Sequence, residues 1–569
     1  MTAIQWLIVF FLIQVIHFLG TWKLYKKAGR QAWEAIIPVY NAVVLMKIIR
    51  RPWWWVILLF LPIINLIMIP VVWVETIRSF GRNSSADTLL VLATLGFYIY
   101  YVNYSLDVNY IEDRSLQPRT ALGEWVSSIL FAVVAATLVH TYFIQPYVIP
   151  TSSLEQTLLV GDFLFVSKFH YGARTPMTTV AFPMVHDTLP VAKTKSYLKK
   201  PQLPYFRLPG FQDVKRNDIV VFSWPADTVE QFFVKTNKRI RKPIDKKSNY
   251  VKRCVAIAGD TLEIRDGFVY INGEKTNLPD RAKTQYSYRV TSSKGVTSKA
   301  LMDAGARELN RIYIAENLNQ QQLNAVYPYL VTQPERDQQG GWYLQTGKNG
   351  IPIDVVRNFR LGLKEIANFQ REATLTLEGA EKLRATPGID SVIRYVMPKE
   401  VVSESFFPND AAYTWNLDNM GPIYMPEKGK TIKLTTQNLP LYKKIIREYE
   451  GNTLDVQGSQ VIINGEVTDS YTFNQDYYWM MGDNRHRSED SRYWGFVPYD
   501  HIVGKPVFIW FSIENFTQGF KNWEVRWDRV FTTVGGEGKP QSYLIYFLGA
   551  LAIYFGWSQF NKRKKQKTT

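Results

Sequence analysis

The sequence predicts a mainly β domain outside the membrane, interrupted by an α+β insertion and tethered by α-helical transmembrane segments at both ends. Three observations predict it. The apolar residues of the 569-residue chain gather at its two ends, while the middle from 150 to 534 is polar. That middle is crossed by short runs of β-branched and aromatic residues with turn residues nearby, the pattern of strands. From 278 to 449 the texture changes to stretches of helical periodicity separated by polar, Gln-rich turns, which marks an insertion between strands.

The apolar ends come first. A bilayer requires about 20 mainly apolar residues per helical span. Five stretches qualify or come close: Ile4 to Leu19, Trp53 to Val74, Thr88 to Tyr104, Val126 to Ile144 and Tyr543 to Trp557. The first lacks a basic residue before it and a small-residue cleavage site after it, so it is predicted to stay attached. Basic residues cluster between the first two stretches (Lys23, Lys26, Lys27, Arg30, Lys47, Arg50, Arg51) and after the last (Lys562, Arg563, Lys564, Lys565, Lys567). Cytoplasmic loops carry such residues. Placing both clusters inside requires an odd number of spans with the N-terminus outside; four or five are open by count, and five satisfy this and put Pro146 to Pro540 on the outer face. Ala32 to Met46 is half apolar and suits the interface.

The predicted organisation is a multi-pass membrane segment over 1–124, an anchor over 125–148, a β domain from 149–277 and 450–534, an accessory α+β insertion over 278–449, and a C-terminal transmembrane helix with a basic tail over 535–569. Strands are expected at Phe163–Val166, Ile219–Phe222, Tyr250–Val251, Cys254–Ile257 and Val507–Phe511. Thr261–Glu274 and Thr453–Glu466 echo one another, each two strands ending in Asn-Gly. Helical periodicity runs over 355–373, 377–384 and 441–449.

The net charge of +17 invites a nucleic-acid partner, but the charge is scattered and no binding motif accompanies it. Much of it flanks apolar segments, where it meets anionic lipid. One cysteine, Cys254, excludes an intrachain disulfide framework and a multi-cysteine metal site.

The fourth apolar stretch ends in Tyr147-Val-Ile-Pro-Thr-Ser-Ser-Leu154. A serine there could attack a bond presented at the membrane surface, and a serine nucleophile needs a base. Of six histidines only His486 lies in a dense polar cluster, where a Ser-His-Asp arrangement with Asp483 or Asp490 stays open. Lysine is the other solution, provided that desolvation lowers its pKa from about 10.4. Lys252 stands in an apolar strand, on one face with Tyr250 and Cys254 by alternation.

Four pieces in order resemble the motif boxes of type I signal peptidases. Ile149-Pro-Thr-Ser-Ser153 with Thr157–Asp162 resembles the nucleophile box, and Lys215–Phe222 the strand box. Tyr250–Asp260 resembles the lysine box, and Met481–Arg485 with Ser488 and Asp490–Phe496 the last box. The resemblance implies a signal-peptidase-type β fold and a serine endopeptidase with Ser153 as nucleophile and Lys252 as general base. It implies that Ser488 orients the lysine, and that the Thr151 hydroxyl and the Ser153 N–H form the oxyanion hole. Arg253, Asp483, Arg485, Asp490 and Arg492 would be salt-bridged supports. Tyr147, Ile149, Pro150, Leu154, Tyr250 and Val251 would border the substrate strand and its shallow pockets.

Leu154 replaces the methionine usual after the nucleophile, a near volume-conserving swap that bears on specificity more than on catalysis. The implied substrates are signal-peptide-bearing preproteins at the outer face of a bacterial cytoplasmic membrane, with the bilayer and the export translocon as partners and no metal or cofactor. YKKAGRQAWEAIIPVYN…RRPWWW resembles an uncharacterised multi-pass segment found ahead of such peptidases. Two rival readings are a His486-based hydrolase and a catalytically inactive membrane assembly or export-partner module.

Overall fold

One antiparallel sheet organises the polar middle of the chain, in a computed structural model that describes residues 2–228, 240–336, 340–401, 403 and 405–568, with backbone alone at 518 and 562–568. In chain order its main strands are β1 (Ile144–Val148), β2 (Asp162–Ser167), β3 (Ile219–Ser223) and β4 (Asn249–Ala256). The insertion follows, with β5 (Gln285–Val296) as its longest strand; the sheet then resumes with β6 (Tyr477–Met481), β7 (Val497–Pro498) and β8 (Ile502–Glu514). In space the order is β1-β2-β8-β3-β4-β6-β7. Chain-distant β2, β8 and β3 are thus neighbours, and the sheet closes only after the insertion has been made.

Both faces of the sheet are buried. Ile219 and Val221 join a cluster with Ile149, Leu154, Leu164 and Ile509. Val220 and Phe222, the alternate residues of the same strand, pack on the other side with Cys254, Met480 and Ile502. A strand covered on both faces reads as an unbroken apolar run, as Ile219–Phe222 does. The two short strands expected over 250–251 and 254–257 are one strand, β4, because Lys252 and Arg253 are buried within it. The echoing segments fold alike. Each reverses at its Asn-Gly with both residues in the left-handed region (Asn272 and Gly273, Asn464 and Gly465), as a tight hairpin turn requires. In each copy the asparagine Oδ1 accepts the first threonine's N–H.

Among the described residues two helices are long and apolar enough to cross a membrane, α1 (Ala3–Lys27) and the anchor Ala121–Tyr142. A third span would require the bent pair Ser85–Ala93 and Tyr98–Tyr104, which meet at 117°. The second expected span is not one helix. It divides into Trp55–Phe60 and Asn65–Ser79. The break follows from Pro62: Leu61 before it is extended, and Ile63 after it has φ 70°. The anchor leads within two residues into β1, so the membrane segment feeds directly into one end of the sheet.

The insertion is a second set of sheets. β5 pairs with Asn368–Thr376 on one side and Ser391–Arg394 on the other. A short helix, α2 (Ser298–Asp303), and the expected helix at Leu377–Arg384 pack on them. The helical periodicity at 441–449 is also realised, as a helix from Leu439 that continues to Tyr449. The helix expected over 355–373 is not formed as such. Only Ile353–Asn358 is helical, and the rest makes strands Leu363–Glu365 and Asn368–Thr376, since Arg360 with φ 48° and Gly362 interrupt the helix and tertiary pairing with β5 captures the remainder.

Candidate active site

Ser153 stands on a short helical turn, Ser152–Leu154, immediately beyond β1. The loop that carries it is closed at its base by two backbone bonds. Ile149 donates to the Asp162 carbonyl and Gly161 to the Ile149 carbonyl, each at 2.9 Å. Inward-facing Leu154 and Leu158 anchor it in the apolar cluster beneath the sheet.

Lys252 reaches the serine from β4. Its Nζ is 2.5 Å from Ser153 Oγ, and both side chains are buried, the lysine residue 4% and the serine 7% exposed. Burial pushes the amine down to about 8, against the pull of the Asp490 and Glu489 carboxylates. The amine also lies 5.5 Å from the Tyr250 ring centroid, consistent with the shared face that strand alternation predicts. Tyr250 is in turn stacked on Trp224, with centroids 4.9 Å apart, and meets Trp494 edge-on. The strand segment behind the lysine is thereby rigid and dry.

Two ion pairs frame the site. Arg253 grips Asp483 with two bonds of 2.7 Å, from Nε and from the terminal guanidinium nitrogen. Burial alone would raise the Asp483 carboxyl, but Arg253 outweighs it and holds the group below its ordinary range. Arg492 holds Asp490 in the same way, at 2.8 Å twice, and Asp490 also accepts the Gly482 N–H. Arg485 departs from the expectation of a salt-bridged support. It is buried, its contact is to Met481 Sδ at 3.9 Å, and its Nε has no partner.

Thr151 is exposed beside the serine, and neither its hydroxyl nor the Ser153 N–H finds an acceptor among the described residues. Ser488 departs from the expected lysine contact: its Oγ is buried and has no hydrogen-bond partner. Gly482 explains how closely it approaches. A Cβ at that position would lie 2.2 Å from Ser488 Oγ and 2.5 Å from the Ser153 carbonyl oxygen, so only glycine fits between them.

The expected substrate border divides. Ile149 and Leu154 are core residues, 3% and 1% exposed, and cannot line an open pocket as they stand. Pro150 is exposed, and Tyr147, Tyr250 and Val251 are half-buried. β4 pairs with β3 along Asn249–Arg253, but with β6 only from Arg253 to Ala256. At 250–252, next to the lysine, β4 has a partner strand on one side only among the described residues.

His486 is turned to another task. Its Nδ1 accepts the Ser287 N–H at 3.2 Å, which leaves the proton on Nε2 to be donated to Asp418, 3.1 Å from both carboxylate oxygens. Both ring nitrogens are used to tie the last box to the insertion, and the ring partners neither Asp483 nor Asp490.

Asn484 is a site residue that sequence reasoning passed over, although it lies between two residues it singled out. Its backbone N–H donates to the Ser153 carbonyl at 3.1 Å and its Nδ2 to the Ser152 carbonyl at 3.2 Å. Thr157 is another; its Oγ1 donates to Asp483 at 2.6 Å, joining the serine loop to the ion pair.

With this geometry in hand, comparison with known proteins is direct. The family described as "Signal peptidase, peptidase S26" matches residues 122–323 and 423–511, about half of the chain. Residues 33–113 match a family of unknown function. The chain is 23% identical over 425 residues to a Signal peptidase I of Helicobacter pylori, covering 73% of this chain and 92% of that relative. It is 22% identical over 398 residues to a Signal peptidase I of Buchnera aphidicola, covering 70% and 77%. Against a Signal peptidase I of Rickettsia massiliae it is 27% identical over 162 residues, 28% of this chain and 47% of the relative. The family match brackets the serine loop, the lysine strand and the Gly482–Trp494 segment. The chain belongs to the S26 family of signal peptidases and is a peptidase.

Proposed function

We propose that the chain is a membrane-bound serine endopeptidase that removes N-terminal signal peptides from exported preproteins by a Ser153/Lys252 dyad. The observation that carries the reading is the buried 2.5 Å contact between Lys252 Nζ and Ser153 Oγ. A lysine whose amine is dry and whose pKa is brought down to about 8 has a usable neutral fraction at physiological pH and is competent as a base. In its neutral form it accepts the serine proton, and Ser153 Oγ attacks the scissile carbonyl. The developing oxyanion is received by the Ser153 N–H and the Thr151 hydroxyl, each donor commonly worth ~3 kcal/mol. The lysine returns its proton to the leaving amine, an ester remains on Ser153, and a lysine-activated water hydrolyses it.

The substrate enters as an extended strand along the open edge of β4, with Pro150, Tyr147, Tyr250 and Val251 at its sides, a form of strand addition. The buried pairs Arg253–Asp483 and Arg492–Asp490 hold the loop that faces Ser153. Ser488 stays a candidate orienting group, since its hydroxyl is buried beside Gly482 without a partner among the described residues. The basic clusters support an inside location for the 23–51 loop and the tail, hence a multi-pass protein in the bacterial cytoplasmic membrane with this site on the outer face. Preproteins and lipid are the partners, with the translocon supplying substrate.

Cleavage of a signal-bearing preprotein by purified protein in detergent or vesicles tests the dyad. Ser153→Ala and Lys252→Met should each abolish cleavage, and His486→Ala should keep it. Full activity of the lysine variant would refute the mechanism. A wild-type protein that never cleaves yet retains export partners would favour the inactive assembly module.

A further inference from the structure

We infer that the insertion completes the active site: its segment Gly305–Glu308 positions the serine loop, with Gln156 and Glu308 as positioning residues. This rests on the reading of Ser153 as nucleophile.

The loop after the serine holds a conformation that its own residues disfavour. Gln156 has φ 67°, in the left-handed region where a side chain with a Cβ is strained. Such a conformation persists only where the surroundings over-determine it. Here they do so from the insertion. The Gln156 Nε2 donates to the Gly305 carbonyl at 2.8 Å.

That carbonyl is itself well placed for structural reasons. Helix α2 ends in a left-handed glycine, with Gly305 (φ 92°) donating to Met302 and Ala306 donating to Leu301, each at 2.9 Å. This double bond closes the helix and fixes where the chain goes next. Three residues on, Glu308 Oε2 lies 3.4 Å from Asn484 Nδ2 and 3.3 Å from Arg487. Asn484 holds the carbonyls of Ser152 and Ser153. The insertion therefore grips the serine loop twice, once beyond the serine through Gln156 and once beneath it through Asn484. Between the grips Glu155 is 6% exposed, and burial pushes its carboxyl up to about 7. The two grips fix the direction of the Ser153 N–H, the oxyanion donor, more than they contribute binding area.

Steady-state cleavage by the full-length protein tests this, using Gln156→Asn, Glu308→Ala and Glu308→Gln. Asparagine tolerates the left-handed backbone but is too short to reach Gly305; glutamine at 308 keeps an oxygen acceptor for Asn484. We expect Gln156→Asn and Glu308→Ala to lower kcat about tenfold with KM within twofold, well short of the ~10²-fold that a 1 Å misplacement can cost. Glu308→Gln should recover most of that loss, and the melting temperature should hardly move. Wild-type kcat in both Gln156→Asn and Glu308→Ala would overturn the inference, as would a loss that Glu308→Gln shares in full. Either result leaves the dyad standing, because the dyad is tested separately, by cleavage in Ser153→Ala and Lys252→Met.

Discussion

At the scale of single residues, the proposed chemistry depends on lowering the pKa of an amine that water would keep charged. Lys252 binds its proton less tightly when folded, near 8 against an ordinary 10.5. The active base is the deprotonated form, so kcat/KM should rise with pH through about 8 and then level off. A rate that is flat from pH 6 to 10 would exclude Lys252 as the titrating base. The same shift has a sign in stability. Between about 8 and 10.5 the unfolded chain binds more protons than the folded one, so this lysine costs stability below its folded pKa and ceases to do so above its unfolded pKa. Lys252→Met should therefore raise the melting temperature at pH 7, and the gain should vanish near pH 10.5, read by thermal denaturation in detergent. Gly482 is the other residue that admits no change. Gly482→Ala would drive a methyl into Ser488 and the Ser153 carbonyl, and should remove cleavage while the protein still binds its membrane.

At the scale of elements, the sheet matters because it brings residues 99 positions apart into one hydrogen bond. β1 delivers the serine loop from the anchor helix, and β4 delivers the lysine from four places along the sheet, with β2, β8 and β3 between them. The Arg253–Asp483 pair joins β4 to the loop after β6 across 230 positions, fully buried. Removing one member strands the other charge, a cost of about 3–5 kcal/mol. Asp483→Ala and Arg253→Ala should each be strongly destabilised in thermal melts, and the double variant should be no worse than the harsher single one. The strands were legible because both faces of this sheet are covered, which writes apolar runs into the sequence. The helix expected over 355–373 was not, because strand pairing with β5 overrode a local periodicity that cannot register a distant partner.

At the scale of the whole molecule, one chain combines a membrane segment, a split β domain and an insertion that returns to the site. The basic clusters support the proposed location of the 23–51 loop and the tail together on the inner side of the bilayer. Cys254 is the lone cysteine and is buried, so single introduced cysteines can be labelled against a quiet background. A membrane-impermeant thiol reagent applied to sealed cells opened only at their outer membrane should label Val191→Cys, in an exposed loop of the β domain, and not Lys564→Cys. Labelling of both from outside would refute the orientation proposed from the basic clusters. The insertion is tied into the molecule by His486, which bridges Ser287 and Asp418, and by the bonds between Gln285 and the Asp483–Arg485 segment.

The sequence by itself determined which residues would meet. Ordered boxes behind an apolar span name Ser153, Lys252, Asp483 and Asp490 through their resemblance to the family's motifs, since a serine or a lysine in such a stretch has more ordinary uses on its own. It also determined the mainly β character and the apolar ends, since burial on both faces and length in the membrane are written directly into hydropathy. Tertiary structure alone decided what holds them. Asn484 holds the serine loop, Gln156 in that loop reaches Gly305, and Glu308 reaches Asn484, each across more than 140 positions, and nothing local to any of them signals it. It also left Arg485 without a salt bridge among the described residues, and it gave His486 to the insertion, against the rival reading of that residue as the base. A hydrogen-bond partner is chosen by proximity in the folded chain, and proximity across such distances is a property of the packed sheet, which no short stretch of sequence encodes.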